Sequence, residues 1–512
     1  MSAATYYLET FGCQMNVLDS QLVEGQLRAR GLRRVASHRE ADLILFNTCS
    51  VRQHAEDKVL SRLGQLKHLK HRRPETVIGV IGCMAEREKE GLFVKAPHVD
   101  LLCGPGELDR LPALLDEVWD RHDRVAALAG NQTRRTAVLQ RALEDDSLEA
   151  LDLSRSPGPD ESVLQSYVRV QRGCDKFCTY CVVPFTRGPE RSRPPGHIVD
   201  EVRHLADAGC REVTLLGQTV NSYVYPDDDR PVRFADLLER VHAVPGIDRI
   251  RFVTSFPADW DDDIFRVMRD HPRICPYLHI PAQSGSDRIL AAMHRTYTRD
   301  SYLRLMDRAR EFVPDIALAG DFIVGFCGET DADFAATVDL VRRVEYKHIF
   351  VFKYSPRPGT AADRRQLDDI PAEVKAARNN ELLAVQMEIM ERHKRAVIGQ
   401  TLDVLVEGYS KLARRSQRAA DALPASEQDR GAEVSQQRAS QLVGRSPHDL
   451  IAVFPGGPEH IGAVVRVQVD DATGLTLFGR IVDVVSPARG PAPAGDSAPA
   501  APRRALPVVN PG

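Results

Sequence analysis

The sequence predicts an α/β protein of three units: a doubly wound parallel amino-terminal domain, a partial parallel (β/α) barrel and a small carboxy-terminal β-barrel. Three observations support this prediction. Short apolar runs alternate with helical patterns near the start, six more alternate with helices in the middle, and short β-like runs dominate near the end. The chain has 512 residues, and at ~150 residues per domain two to four domains are expected.

The strands of the amino-terminal domain are short apolar runs bounded by glycine or polar residues, which is typical of buried parallel strands. They are Tyr6–Phe11, Asp42–Phe46, Val77–Ile81 and, as a fourth strand, Val99–Cys103. Helical patterns over Asp19–Arg30 and His54–Lys70 lie between them. This βαβα order predicts a doubly wound parallel sheet.

The middle of the chain repeats the strand–helix alternation six times. The predicted strands are Gln165–Gln171, Glu212–Leu216, Arg249–Thr254, Tyr277–Ile280, Ile316–Val324 and Lys347–Tyr354. Their number predicts a parallel α/β barrel that is incomplete. A helix over 371–397, with Pro371 at its start, connects this barrel to the last unit.

The last unit is predicted from short β-like runs to be a small β-barrel. They are Thr401–Val406, Leu450–Phe454, Ile461–Val469 and Leu475–Val485. Lys411–Gln441, rich in Arg, Ala, Gln, Ser and Glu, is predicted to be a flexible insert, and the Pro/Ala/Gly-rich end a disordered tail. The predicted boundaries are 1–125 for the first domain, 126–162 for a linker, 163–398 for the barrel and connecting helix, 399–486 for the β-barrel with insert 411–441, and 487–512 for the tail.

Composition and charge narrow the class of protein. The net charge of −4 excludes binding to nucleic acid by bulk positive charge but leaves room for a local basic patch. No run approaches the ~18 apolar residues of a membrane-spanning helix, and the start lacks the order of a signal peptide. We therefore expect a cytoplasmic protein without a membrane partner. In that reducing compartment, ten cysteines indicate metal, iron–sulfur or thiol chemistry rather than disulfides.

The most informative stretch contains Cys174, Cys178 and Cys181, three thiols within eight residues. Such short spacers let one loop ligate one face of an iron–sulfur cluster. With three thiols only, one iron of a cubane stays open for an exogenous ligand. A structural zinc site is the alternative, but zinc takes four closed ligands and no fourth His or Cys lies at suitable local spacing.

A second set, Cys13, Cys49 and Cys83, is spread along the first domain with separations of 36 and 34 residues. Each cysteine follows a predicted strand. Because the carboxyl ends of parallel strands meet at one edge of a sheet, the three thiols are expected at one crevice, as a second three-cysteine cluster site. Cys103 follows the fourth strand and is interpreted as a small apolar packing residue. The remaining thiols, Cys210, Cys275 and Cys327, lack partners at suitable spacing and are interpreted as structural.

Long motifs surround both cysteine sets. They are Thr10-Phe-Gly-Cys-Gln-Met-Asn16, Asn47-Thr-Cys-Ser-Val-Arg52, Gly82-Cys-Met-Ala85, Gln171-Arg-Gly-Cys-Asp-Lys-Phe-Cys-Thr-Tyr-Cys-Val-Val-Pro184, Arg187-Gly-Pro-Glu-Arg-Ser-Arg193, Leu215-Leu-Gly-Gln218, Gln283-Ser-Gly-Ser286 and Tyr354-Ser-Pro-Arg-Pro-Gly-Thr360. The C-x3-C-x2-C spacing resembles the signature of the radical S-adenosylmethionine (SAM) superfamily. The whole set resembles the methylthiotransferase family and, within it, the MiaB-type tRNA methylthiotransferases.

This resemblance implies an amino-terminal methylthiotransferase domain, a radical-SAM barrel and a carboxy-terminal RNA-binding TRAM β-barrel. It implies two 4Fe–4S clusters and SAM as cofactors. One SAM methylates a sulfur associated with the auxiliary cluster, and a second SAM yields the radical. The radical abstracts hydrogen from carbon 2 of the adenine, and the methylthio group joins there. The implied substrate is N6-isopentenyladenosine at tRNA position 37. Sister branches act instead on threonylcarbamoyl-adenosine in tRNA or on a ribosomal-protein aspartate.

The resemblance also implies partners and a role for Tyr180. The expected partners are tRNA, an external electron donor such as a flavodoxin or ferredoxin, and the iron–sulfur assembly machinery, and the enzyme itself is expected to be a monomer. Tyr180 would approach the SAM adenine, although simple packing is an equal alternative. No catalytic residue beyond the cluster ligands is assigned.

Other polar residues follow predicted strands of the barrel. For Gln218, Asn221, Ser284 and Ser286, contact with SAM or substrate and capping of their own loops are equal alternatives. The arginines after the central triplet either contact phosphates or the SAM carboxylate or form salt bridges in the barrel. They are Arg187, Arg191 and Arg193.

The sequence departs from the family pattern at four places. Thr219 replaces the usual Asn, Phe256 the usual His and Cys327 the usual Pro, and the insert 411–441 enlarges the TRAM domain. None of these is an implied cluster ligand, so the predicted chemistry stands.

Overall fold

A computed structural model describes residues 4–50, 53–121, 123–128, 148–155, 163–421, 440–473 and 476–489 of the chain. The described part contains the three predicted units in the predicted order. Among these residues no helix combines the length and the apolar character that crossing a membrane requires.

The amino-terminal domain is a parallel sheet of six strands in the order β2-β1-β3-β4-β5-β6. The strands are β1 (Thr5–Phe11), β2 (Arg33–Arg34), β3 (Leu43–Thr48), β4 (Val77–Ile81), β5 (Leu101–Cys103) and β6 (Val125–Ala127). The helices are α1 (Gln14–Ala29), α2 (Gln53–Arg72), α3 (Cys83–Glu88), α4 (Gly91–Lys95) and α5 (Leu111–Arg121), with a 3-10 turn over Leu108–Arg110. Every residue of β3 and β4 is buried, as expected of central parallel strands covered on both faces. The predicted doubly wound sheet is confirmed.

The central domain is an open barrel of parallel strands. Two three-stranded arcs, β13-β10-β7 and β14-β15-β16, are joined by a parallel bridge between Ile250 and Ile274. The strands are β7 (Gln165–Arg169), β8 (Gln171–Arg172), β9 (Arg191–Ser192), β10 (Glu212–Leu216), β11 (Val224–Tyr225), β12 (Val232–Arg233), β13 (Arg249–Phe252), β14 (Tyr277–His279), β15 (Ala317–Val324) and β16 (His348–Lys353). The six predicted strands are the six barrel strands, and the predicted partial barrel is confirmed.

Helices cover the outside of the barrel. They are α6 (148–153), α7 (Val183–Thr186), α8 (Pro195–Asp207), α9 (Phe234–His242), α10 (Asp262–Asp270), α11 (Asp287–Ala292), α12 (Arg299–Phe312), α13 (Asp331–Val344), α14 (Ala361–Arg365) and α15 (Ala372–Val397), with 3-10 turns over Val220–Ser222 and Pro257–Asp259. Helix α15 is the predicted connecting helix, and Pro371 stands at its amino-terminal cap.

The carboxy-terminal unit is a closed barrel in the order β17-β18-β19-β21-β20. Its elements are β17 (Thr401–Tyr409), α16 (Lys411–Asp421), β18 (Gln441–Arg445), β19 (Ile451–Pro455), a 3-10 turn over Pro458–His460, β20 (Val464–Thr473) and β21 (Thr476–Ser486). The interior is filled by alternate apolar residues of the strands, which is the pattern expected of a small barrel.

Segments predicted to be irregular are only partly described. Residues 129–147 and 156–162 of the linker, 422–439 of the insert and 490–512 of the tail lie outside the described residues. Where they are described, the linker contains the short helix α6, and the insert begins with α16, a helix that the prediction of a flexible insert did not include. Tertiary contacts explain α6, because its Asp152 is buried against arginines of the central domain.

The small barrel closes the amino-terminal end of the central barrel. Arg249 and Arg251 of β13 donate hydrogen bonds to backbone carbonyls of residues 445–447, and Arg251 Nη2 lies 2.7 Å from the Ser446 oxygen. Lys347, directly before β16, lies 2.9 Å from Asp449 Oδ2. The hairpin between β18 and β19 thus covers the amino-terminal end of the central barrel, here called the floor. Positively charged side chains at the starts of the barrel strands hold it there.

The floor of the barrel also contains a titratable group. The half-buried ring of His348 stacks on Tyr277 with ring centroids 6.2 Å apart and meets Phe350 edge-on. Burial, together with the charge of Lys347, lowers the pKa of His348 to about 4. Because the unfolded chain has the ordinary value near 6.5, it binds more protons than the folded chain between these pH values. The free energy of unfolding therefore falls as the pH drops through this window.

We expect His348→Phe to keep the aromatic contact and to reduce the fall in the free energy of unfolding between pH 7 and 4. Denaturant unfolding between pH 7 and 4 measures it, and one such group changes the slope by at most about 1.4 kcal/mol per pH unit. His204→Gln, at an exposed position of α8, should leave the slope unchanged. A variant at His348 with the parent's full acid sensitivity would contradict the assignment.

Candidate functional site

The structure brings Cys13, Cys49 and Cys83 together at one edge of the amino-terminal sheet. They follow the carboxyl ends of β1, β3 and β4, and the strand order places the switch in winding direction between β1 and β3. The thiols of Cys13 and Cys49 share a hydrogen bond, which lowers the pKa of Cys13 to about 6. Cys83 is buried close enough to interact electrostatically with Cys13, and its burial raises its own pKa.

Two asparagines fix the loops that carry these thiols. Asn16 Nδ2 donates to Asn47 Oδ1 at 2.9 Å, and Asn47 Nδ2 donates back to the Asn16 carbonyl at 2.9 Å. Asn16 Oδ1 also accepts from the Cys13 thiol at 3.2 Å. Gly12, directly before Cys13, has a φ of +152°. A Cβ added at this position would lie 2.6 Å from the Cys49 Cβ. Close approach of the loops therefore requires glycine at position 12.

The second set lies on a tight loop after β8. The Cys174 amide donates to the Gly188 carbonyl at 3.1 Å, and the Cys181 amide donates to the Cys178 carbonyl at 3.0 Å. Gly173 has φ +65°, and a Cβ there would lie 1.9 Å from the Pro189 oxygen, so only glycine fits. These bonds turn three closely spaced thiols toward one region at the carboxyl end of the barrel.

An arginine contacts this set. Arg295 Nη1 lies 3.3 Å from Cys178 Sγ, and its guanidinium stacks over Phe256 at 4.5 Å and Tyr297 at 5.0 Å. Burial raises the pKa of Cys174 to about 11 and that of Cys181 to about 12. Thiols so shielded from water become thiolates when a positively charged metal binds them.

The donor sets fit iron–sulfur clusters better than single ions. Within the described ranges, no three His, Cys, Asp or Glu side chains surround one point at the distances of a bound ion. A cubane cluster holds its thiolates further apart, because each binds a different iron. A single zinc ion would instead need four converging ligands. Each cysteine set supplies three thiols and leaves room for a further ligand.

The residues predicted to contact the cofactor lie at the same end of the barrel. Tyr180 meets Phe326 edge-on at 6.5 Å, and Gln218 lies half-buried in the loop after β10. Asn221 exchanges two hydrogen bonds, of 2.8 and 2.7 Å, with the Phe256 backbone. Ser284 is buried 3.3 Å from the Thr337 hydroxyl. Asn221 and Ser284 thus cap their loops, and contact of these four residues with the cofactor stays a prediction.

The arginines that follow the triplet are engaged in ion pairs. Arg193 is buried between Glu149 and Glu201, with nitrogen–oxygen distances of 2.7 and 2.8 Å. Arg187 pairs with Asp19 of the amino-terminal domain at 2.8 Å. For Arg187 and Arg193 the structure therefore favours the salt-bridge alternative.

The two cysteine sets are connected by a short segment of chain. Helix α7 begins just after Cys181 and packs against α3, which begins at Cys83. At the other end of α7, the Arg187 guanidinium hydrogen-bonds the Cys83 thiol. Arg187 follows Cys181 by six positions, which is at most ~22 Å of extended chain and less with a helical turn. Both sets therefore lie beside the same short segment of chain, which contains α7.

Three of the departures from the family pattern have defined neighbours in the central domain. The Thr219 hydroxyl donates to Glu190 Oε2 at 3.0 Å. Phe256 lies under Arg295, and Cys327 is half-buried next to Tyr354. None of the three belongs to either cysteine set.

Sequence reasoning missed several residues of the site. Asn16 and Asn47 belong to the quoted motifs, but the motifs do not show that the two side chains bind each other. That contact forms only because β1 and β3 are neighbours in the sheet. Arg295 and Arg357 lie far along the chain from the cysteines that they approach. Arg295 lies outside every motif quoted above, and the Tyr354–Thr360 motif that contains Arg357 gave no sign of a contact with the amino-terminal domain.

Comparison with known proteins assigns the three units. Family models match at residues 5–104 (uncharacterized protein family UPF0004), 168–341 (radical SAM superfamily) and 433–482 (TRAM domain). A solved radical SAM methyltransferase from Kitasatospora setae superposes with a TM-score of 0.50 at 14% identity, covering 68% of this chain and 73% of that one. That likeness shows the fold alone.

Two relatives with a given activity match over almost the full chain. A tRNA-2-methylthio-N(6)-dimethylallyladenosine synthase from Rhodopirellula baltica is 46% identical over 94% of this chain and 97% of its own. One from Protochlamydia amoebophila is 40% identical over 93% and 96%. With both cysteine sets in place, the chain belongs to the family of tRNA-2-methylthio-N(6)-dimethylallyladenosine synthases, SAM-dependent enzymes of the radical SAM superfamily.

Proposed function

We propose that this enzyme converts N6-isopentenyladenosine at tRNA position 37 to its 2-methylthio derivative. The observation that carries the proposal is the pair of three-cysteine sets that lie on either side of α7. A methylthiotransferase needs one site that generates a radical and another that presents sulfur, and they must lie close together. The family membership selects the nucleoside.

We assign the two cluster sites by their place in the fold. Cys174, Cys178 and Cys181 hold the 4Fe–4S cluster that binds SAM, and Cys13, Cys49 and Cys83 hold the auxiliary cluster. When bound, these groups supply SAM cleavage to a 5′-deoxyadenosyl radical and the sulfur that is transferred. The protein contributes position, exclusion of water and hydrogen bonds to the thiolates.

Three residues support the SAM-binding site in this proposal. Arg295 steadies the Cys178 thiolate, and its stacking over Phe256 and Tyr297 limits its movement. Tyr180 lies between Cys178 and Cys181 in the sequence and packs edge-on against Phe326. Its position suits packing against the adenine of SAM. Gln218, in the loop after β10, offers a half-buried amide for hydrogen bonding to SAM.

Partners follow from the chemistry of the reaction. The TRAM barrel provides an RNA-binding module for tRNA. Reductive SAM cleavage needs an external one-electron donor such as a flavodoxin or ferredoxin, and both clusters need the iron–sulfur assembly machinery. We propose that the enzyme acts as a monomer in the cytoplasm, where its tRNA substrate is found.

Reconstituted enzyme should form 2-methylthio-N6-isopentenyladenosine in tRNA that carries N6-isopentenyladenosine. The assay combines protein loaded anaerobically with iron and sulfide, SAM, a reductant and the tRNA, followed by mass spectrometry of the digested nucleosides. Unmodified tRNA of the same sequence is the control. If SAM is cleaved without this product, threonylcarbamoyl-adenosine tRNA and then ribosomal protein become the substrates to test, and the assignment of the nucleoside is wrong.

Single cysteine changes should separate the two sites. Cys174→Ala should reduce SAM cleavage to background while tRNA binding persists, because the SAM-binding cluster is lost. Cys83→Ala should keep SAM cleavage and lose the methylthio product. Both activities, measured as 5′-deoxyadenosine and modified nucleoside, should survive Cys210→Ala, which removes a buried thiol outside both sets. Methylthio product from the Cys83 variant would refute the auxiliary site.

Arg295→Gln should lower SAM cleavage by about 10- to 100-fold, the range found when a hydrogen-bond partner of a metal ligand is removed. Initial rates of 5′-deoxyadenosine formation at saturating SAM provide the measurement. Arg304→Gln, on the exposed face of α12, is the matched control and should be unaffected. Equal rates for both variants would show that Arg295 only packs.

A further inference from the structure

Two arginines of the central domain reach into the amino-terminal domain beside the auxiliary cysteines. Arg187 comes from the end of α7. Its Nη2 lies 2.8 Å from Asp19 Oδ2, and the same guanidinium hydrogen-bonds the Cys83 thiol and interacts with Cys13. Its side chain is only 6% exposed. A fixed positive charge thus touches one side of the cysteine set.

Arg357 lies near a different member of the set, Cys49. It follows β16 in the Tyr354–Thr360 motif and is buried, with Nη1 3.7 Å from Glu56 Oε2. It also lies close enough to Cys49 to interact with its thiolate charge. Each of the three auxiliary cysteines therefore has a central-domain guanidinium as an electrostatic neighbour.

Neither arginine is the only partner of its carboxylate. Asp19 Oδ1 is also bound by Arg169 at 3.0 Å, and Glu56 Oε2 by Arg87 at 3.0 Å. Replacing Arg187 or Arg357 therefore leaves each carboxylate with one arginine. Each carboxylate would thus be paired without Arg187 or Arg357. The nearby thiols give a reason for the presence of these two additional guanidinium groups.

The physical consequence concerns electron affinity. Three thiolates concentrate negative charge, and one-electron reduction of the cluster that they hold adds one more negative charge. Hydrogen bonds to the sulfurs and nearby cations stabilise the reduced form, which raises the reduction potential. Buried charges act strongly here because little water screens them.

We propose that Arg187 and Arg357 are positioning residues of the auxiliary site that hold its thiolates and raise the reduction potential of its cluster. The inference rests on the proposed function, which assigns a cluster to Cys13, Cys49 and Cys83. Because both arginines belong to the central domain, the potential of the cluster depends on the docking of one domain against the other.

The test isolates the auxiliary cluster. In a parent chain with Cys174→Ala, Cys178→Ala and Cys181→Ala, only the auxiliary set can hold a cluster. Arg187→Gln and Arg357→Gln are then compared with this parent by iron content and by redox titration with dithionite, followed by electron paramagnetic resonance. We expect each variant to shift the reduced-to-oxidised ratio at a fixed potential about tenfold toward oxidised, a lowering of about 59 mV for one electron.

Two controls distinguish charge from packing. Arg187→Lys keeps the charge and should recover part of the potential. Arg211→Gln removes a buried arginine that joins the central domain to the TRAM barrel, away from the cysteines, and should leave the potential unchanged. Loss of iron from the Gln variants, with the unfolding midpoint of the apoprotein unchanged, would also support the role in holding the thiolates.

Two results would overturn different statements. Full iron content with an unchanged potential in both Gln variants would refute the role of the arginines. A parent chain that binds no cluster through its remaining cysteines would refute the auxiliary site of the proposed function.

Discussion

The buried carboxylate of Asp19 joins the amino-terminal domain to the barrel. It is fully buried and accepts from Arg169 of β7 at 3.0 Å and from Arg187 at 2.8 Å. Removing both arginines would leave an uncompensated charge away from water, at a cost of about 3–5 kcal/mol. Asp19 belongs to the helix that begins directly after Cys13, so the same interaction that docks the domains also fixes the distance between the cysteine sets.

Much of the fold was predictable because it depends on local patterns. Apolar runs of strand length with helical patterns between them gave the six barrel strands and the main strands of the first sheet. The convergence of Cys13, Cys49 and Cys83 followed from one rule of parallel sheets, that successive carboxyl ends meet at one edge. The central triplet needed only its spacing. The helix at the start of the insert was missed, since composition there favoured irregular structure.

The polar half of the site was not predictable in the same way. Whether Arg187 binds a ligand or a carboxylate depends on Asp19, 168 residues earlier. Arg295 is 117 residues from Cys178. Arg357 belongs to the central domain but pairs with Glu56 of the amino-terminal domain. Such pairs form only when the chain has folded and the domains are docked, so the local sequence pattern does not reveal them. Asn221 illustrates the limit: the sequence left ligand contact and loop capping as equal alternatives, and the amide forms its two hydrogen bonds with the Phe256 backbone.

The sealed floor of the barrel has a consequence for the shape of the substrate. Arg249, Arg251 and Lys347 bind the TRAM hairpin at one end of the strands, while the cysteines occupy the other end. With eight residues, β15 is the longest strand of the barrel and spans ~26 Å. An RNA that contacts both the small barrel and the central cysteines must be long enough to cover a distance of this order. A free nucleoside is too short to do so.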